Sequence, residues 1–182
     1  ATQAASRLTC SAALYSRHWH TVWLIGDCQC RVGGRTYTHP KLVDRVLTQA
    51  RCDAVRYLLA HGTPAESLRR NDLGRALIMD ALREQTNFQN DPNPFNPFRY
   101  PVIDGCPIDP DAVPAIPLGS ARRLILASDG YPVLADTLRD TEAGLRRLLQ
   151  ADPLCIGPNA ATKCWMEGTK SFDDRAFLSL SL

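Results

Sequence analysis

No apolar run in the 182-residue sequence approaches the roughly 18–20 residues that a membrane-spanning helix needs, and no charged–apolar–small succession marks a signal peptide. A membrane is therefore not an expected partner. Also missing is a Lys/Arg stripe interleaved with aromatics. Arg69-Arg70, Arg122-Arg123 and Arg146-Arg147 are isolated pairs, of the kind that edge solvated helices and strands, though an acidic ligand could use them. With a net charge of only +2, nucleic acid is not expected, while a phosphorylated partner stays open. The seven cysteines are odd in number and lack the two-to-four-residue gaps of a zinc module. Several sit inside apolar runs, where a free thiol behaves as a small hydrophobe, so a reduced, cytoplasmic chain is expected. No internal repeat breaks the sequence up. Its 45% apolar and 22% charged residues suit one globular domain over residues 1–182.

What is present begins with strands. Leu8 to Ser16 alternates in period two, and Thr21-Val22-Trp23-Leu24-Ile25 is apolar on both faces, which predicts a strand buried on both sides. Gly26-Asp27 leads into Cys28 to Val32, and Gly33-Gly34 reads as a hairpin turn before Arg35 to Thr38. Together these predict an antiparallel meander. Apolar residues at spacings of three and four from Leu42 to Leu59 then predict a helix ending near His61-Gly62. Thr63-Pro64-Ala65-Glu66 reads as a capping box with Pro at the first helical position, and Asn71 or Asp72 is placed to start another helix through Leu82.

Residues 90–117, rich in Pro, Asn and Asp, read as a long surface loop with short edge strands around Tyr100 to Ile103. Arg123 to Ala127 is a buried strand. Helical segments are expected around Val133 to Leu138 and from Thr141 to Gln150, capped by Asp140 or Thr141. Ala176 to Leu182 alternates as a terminal strand with one buried face. Strands, helices, strands, helices and a strand in that order predict an α+β fold, two sheets between helical layers.

Three aspartates stand at strand ends. Asp129 follows Arg123 to Ala127, Asp173 precedes the last strand, and Asp27 follows Thr21 to Ile25 with Gly26 leaving room for close backbone approach. If the last two strands are antiparallel neighbours, Asp129 and Asp173 arrive at one sheet edge. Converging carboxylates are what a hard cation such as Mg²⁺ or Mn²⁺ takes. On spacing alone a turn is the better account of Asp-Gly after a strand, and a solvated loop of Asp-Asp before one.

Gly26-Asp27-Cys28, Leu124 to Gly130 with its Ala-Ser-Asp-Gly ending, and Phe172-Asp173-Asp174-Arg175-Ala176-Phe177-Leu178 occur in the order of the later motifs of the metal-dependent PPM phosphatase family. Over nearly its whole length the chain resembles that family, in a divergent bacterial-type form, because residues 41–89 depart from the common eukaryotic pattern. The resemblance implies a four-layer αββα sandwich and metal-dependent hydrolysis of phosphate monoesters, on a phosphoserine or phosphothreonine protein or a small phosphate ester. By motif position Asp129 and Asp173 would be metal ligands for Mn²⁺ or Mg²⁺. Asp27 would lie nearby, and Asp174 and Gly130 would flank the ligands. The family's early Asp-Gly motif, whose Asp bridges both metals, and its phosphate-gripping basic residue have no counterpart from Ala1 onward. Asp104-Gly105 has the letters but not the place. A two-metal site is therefore expected to be incomplete, and phosphatase activity of residues 1–182 alone weak or absent.

Two other readings of the site residues stand beside this one. A phosphatase-like module that has lost part of its site would bind a partner or phosphopeptide without catalysis. An N-terminal-nucleophile hydrolase would use a similar layered sandwich, but it needs a Ser, Thr or Cys where Ala1 stands. His18-x-His20 with Cys28-x-Cys30 invites a zinc site, against which core cysteines and a hairpin-tip histidine pair are the simpler account.

Overall fold

The β-branched and aromatic residues of Thr21–Ile25 favour an extended chain, and this strand organises the first of two antiparallel sheets. In the computed structural model, which describes residues 8–182, that sheet has the order β1 (Ala12–Ser16), β2 (Thr21–Ile25), β5 (Ala115–Pro117). The second sheet has the order β4 (Arg35–Thr38), β3 (Gln29–Val32), β6 (Arg123–Ala127), β7 (Phe177–Ser181). All pairings are antiparallel.

The expected meander is thus divided. β2 and β3 belong to different sheets, and the chain changes sheet at Gly26. This glycine has φ +75°, and a Cβ on it would stand 2.2 Å from Ser11 Oγ, so a side chain is excluded both by conformation and by space. The corner converts a would-be flat ribbon into two facing hairpins.

The sheets meet across a shared apolar core. Val22, Leu24 and Ile116 point in from the first sheet, and Cys30, Val32, Leu124 and Leu126 from the second. The period of two sends Ile125 and Ala127 to the other face of the second sheet, where they pack with Leu145 and Leu149 of a helix, α4 (Leu138–Ala151). That helix starts three residues earlier than the predicted Thr141, because Thr137 rather than Asp140 or Thr141 is its cap. The Thr137 hydroxyl accepts from the Asp140 amide at 3.1 Å. Val133 to Leu138 is not a separate helix.

Three further helices, α1 (Leu42–Ala60), α2 (Ala65–Arg70) and α3 (Leu73–Glu84), share cores with loop residues rather than with the first sheet. Val43 and Leu47 pack with Ile78, Tyr100 and Val102, while Val55 packs with Leu68 and Leu154. Asp72 caps α3 as expected, accepting from the Arg75 amide at 2.9 Å. The capping box of α2 is not formed: Pro64 occupies the cap position and no side chain bonds the first turn.

The first sheet's outer face also departs from expectation. Leu14 and Trp23 are register partners there, Leu14 is half exposed, and Trp23 is only partly covered by the edge of Trp19. β2 is therefore fully buried on one side only. In β7, Leu180 reaches the inter-sheet core and Phe177 the α4 side, while Leu178 is exposed at this sheet edge, so no single buried face forms. The molecule is a mixed α+β fold with two facing antiparallel sheets and α4 over one of them.

Candidate functional site

The register of the second sheet brings the three aspartates together. Gln29 pairs with Ala127, so continuing past both strand ends sets Asp27 opposite Asp129. Ala127 also pairs with Phe177, which carries Asp173 to the same edge from the other side. Asp27, Asp129 and Asp173 line one polar cleft of about 330 Å³, shared with Lys41, Lys163 and Arg75.

Several contacts hold the cleft in shape. Gly130 lies so close to the start of β7 that a Cβ would stand 2.1 Å from the Asp174 carbonyl oxygen. Gln29 is buried and donates from Nε2 to the carbonyls of Ser128 (2.8 Å) and Tyr131 (2.6 Å), which fastens the segment carrying Asp129 to β3. The Ala176 amide donates to Ser128 Oγ at 2.9 Å. Arg175 forks onto Glu142 of α4 at 2.8 and 3.0 Å, fixing the chain just after Asp173. Asp174 itself is exposed. Its amide donates to Asp173 Oδ1 at 2.8 Å, so its backbone rather than its carboxylate touches the cleft.

A second support comes from below. Arg51, fully buried on α1, donates to Asp72 at 2.8 and 3.1 Å and to the carbonyls of Leu154, Cys155 and Ala161 at 3.0–3.1 Å. Asp72 in turn accepts from the Cys164 amide at 2.9 Å. This buried ion pair satisfies its hydrogen-bonding capacity on loop backbone and pins the irregular segment that delivers Lys163 to the cleft.

The electrostatics distinguish the three carboxylates. Lys41 Nζ stands 2.7 Å from Asp27 and 3.1 Å from Asp44, over the face of Tyr100. The Ser11 hydroxyl also donates to Asp27 at 2.6 Å. Partial burial works to raise the Asp27 pKa, but Lys41 and Ser11 outweigh it and hold the carboxyl below its ordinary value. Burial would likewise lower Lys41, yet its two carboxylates raise it, so it is a permanent cation. Asp173 is paired with Lys163.

Among the described residues Asp129 has no such ion pair. Desolvation in the cleft, then repulsion from Asp27 and Asp173, push its carboxyl up to about 6, with Lys41 and Lys163 offsetting part of the rise. By surface area Asp129 is exposed, so solvent moderates both causes.

Carboxylate oxygens at strand ends are the donor type that a hard cation takes. Two ammonium groups already stand against two of the three carboxylates. As they stand, no three His, Cys, Asp or Glu side chains among the described residues are grouped to hold a metal ion. The cleft as it stands is therefore not a formed metal site, two of its three carboxylates being paired with lysines.

The sequence did not reveal Lys41, Asp44, Arg75 or Lys163. Lys41-x-x-Asp44 at the start of a predicted helix was a visible signal, but Lys163 lies in irregular chain with no periodicity to place it. The zinc arrangement is not assembled: His18 and His20 lie before β2 and Cys28 after it, and Cys30 is in the inter-sheet core. Ala1, on which the N-terminal-nucleophile reading turns, lies outside the described residues. Arg69 stacks on Trp165 and Arg70 pairs with Glu167, while Arg146-Arg147 sits on exposed α4 surface. Compared with models of known protein families, with curated proteins and with solved structures, the chain matches none.

Proposed function

We infer that the chain is a phosphatase-like domain of the PPM type, acting on phosphate monoesters such as phosphoserine or phosphothreonine. The observation that carries this reading is the convergence of Asp27, Asp129 and Asp173, three motif residues far apart in sequence, on one cleft. The two facing sheets with α4 outside one of them suit the four-layer αββα sandwich that this reading requires. Asp129 and Asp173, with Asp27 beside them, would hold Mn²⁺ or Mg²⁺. Such an ion would supply activation of water and neutralise charge on the transferring phosphoryl group.

The chain's own residues contribute position and charge. Arg51 and Asp72 hold the Lys163 segment, Gly130 and Gln29 hold Asp129, and Lys41 keeps Asp27 ionised. Lys41, Lys163 and Arg75 offer positive charge to phosphate oxygens entering the cleft. Without the early bridging aspartate, turnover by residues 1–182 is expected to be weak. A thermal-shift series with MnCl₂ tests the reading: Mn²⁺ should raise the melting temperature of the wild type and leave Asp129→Asn unmoved. A wild type indifferent to millimolar Mn²⁺ and Mg²⁺ would sink it.

A second reading rests on the paired lysines. If Lys41 and Lys163 permanently neutralise the carboxylates, the cleft binds a phosphorylated partner without hydrolysing it. Binding of a phosphoserine peptide that survives EDTA and disappears in Lys163→Met would favour that reading.

A further inference from the structure

The pair Arg122-Arg123 gains a third arginine from the fold. Arg31 pairs with Ile125 and Val32 with Leu124, at the end of the second sheet away from Asp27 and Asp129. The period of two puts Arg31, Ile125 and Arg123 on the face that α4 covers. There Arg31, Arg122 and Arg123 line a pocket of about 350 Å³, together with buried Ile125, Asp136 and the Gly33-Gly34 turn. The turn contributes no side chain, so that wall is backbone alone. Two of the guanidinium groups are held in place: Arg31 donates from Nε to the Asp136 carboxylate at 2.7 Å, and Arg123 donates from Nη1 to the Asp136 carbonyl at 3.2 Å. Arg122 is exposed, and among the described residues its side chain has no hydrogen bond or ion pair. One carboxylate thus stands against three cations, and its side chain is itself 63% exposed. The lining carries an excess of positive charge that the fold does not neutralise.

We propose that this pocket binds a phosphorylated side chain of a peptide partner. A phosphate dianion presents three oxygens and can engage three guanidinium groups at once, whereas a single carboxylate fills one fork. Asp136 sets Arg31 and Arg123 in position beforehand, which reduces the ordering cost of binding. The charge is confined to one concavity and bounded by Asp136. It therefore suits one dianion, not the phosphate row of a nucleic acid, which takes a longer basic stripe. The bare glycine wall lets a peptide backbone pass close to the end of the sheet. The pocket shares no lining residue with the aspartate cleft, so the inference does not depend on metal binding there.

Fluorescence anisotropy on the full chain in EDTA tests it, with a labelled peptide of alanine and glycine around one phosphoserine as the probe. The wild type should bind this peptide at least about tenfold more tightly than its unphosphorylated form. Arg122→Gln and Arg31→Gln should each weaken binding about tenfold, the loss expected from one charge-assisted contact. Arg122→Gln removes a side chain that supports nothing else in the fold, so its urea midpoint should match the wild type and its loss reads binding alone. Arg83→Gln, which removes an exposed charge of α3 outside the pocket, should stay within about twofold. No phosphate-dependent binding, or binding that both pocket variants leave intact, overturns the proposal. So does equal weakening by Arg83→Gln, which would mean unspecific charge attraction. Loss in Lys163→Met with the arginine variants unchanged would move the phosphate to the aspartate cleft. Tighter arginine-dependent binding of a single-stranded oligothymidylate would make the partner a nucleic acid. Either of these also overturns it.

Discussion

Asp129 concentrates the chemistry of the cleft at a single side chain. Its carboxyl is pushed from an ordinary 3.8 up to about 6, so the folded chain holds a proton there that the unfolded chain releases near pH 4. The sign follows: ionising Asp129 costs stability, and that cost grows as pH rises from about 4 to about 6, then stays constant. Asparagine cannot ionise. In EDTA, Asp129→Asn should therefore be more stable than the wild type above about pH 6 and indistinguishable from it below about pH 4. Because Asp129 is solvent-accessible, the gain should be under about 1 kcal/mol rather than the larger figure a buried group would give. Urea unfolding at pH 4, 5, 6 and 7 reads it directly. A destabilised Asp129→Asn at pH 7 would mean that the carboxylate is satisfied by a partner and not crowded by Asp27 and Asp173.

Between elements, two features decide whether those side chains meet. Gly130 lets the end of β6 lie against the start of β7. In Gly130→Ala the new methyl would run into the Asp174 carbonyl, so the two segments must part, at a cost of about 1–3 kcal/mol in chemical denaturation. Any Asp129-dependent Mn²⁺ response should weaken with it. Arg51 is the counterpart on the helical side. Arg51→Leu strands Asp72 and three loop carbonyls in the interior and should cost about 3–5 kcal/mol, enough to show as a large drop in the urea midpoint. These devices also mark where sequence reasoning works and where it stops. Apolar runs locate β2 and β6, and period-3.6 patterns locate α1 and α3, because local burial writes them, while β4 was legible from the Gly33-Gly34 turn before it. The meander failed because the change of sheet at Gly26, with its positive φ, is not written in the apolar pattern of the strands on either side. The α4 start was missed because Thr137 competes with two equally good caps. Arg51 reads as an ordinary exposed helix charge until the 154–164 segment wraps over it.

For the whole molecule, the pairing of β3, β6 and β7 in one sheet makes a site out of residues separated by more than a hundred positions. The three aspartates were legible as strand-end residues; Asp129 and Asp173 meet through the antiparallel pairing of β6 with β7, and Asp27 joins them through the pairing of β3 with β6. The lysines were not legible, since their role depends on where α1 and an irregular loop are set down relative to that sheet. The two facing antiparallel sheets are compatible with the sandwich expected from the sequence, with Leu14 half exposed on the first sheet's outer face. The metal-dependent reading requires that the aspartate cleft take a divalent cation. Crystals grown in Mn²⁺ and measured for anomalous scattering test this most directly. The expected result is a peak at about 2.0–2.3 Å from carboxylate oxygens of Asp129 and Asp173. A cleft with no peak at saturating Mn²⁺ would contradict it.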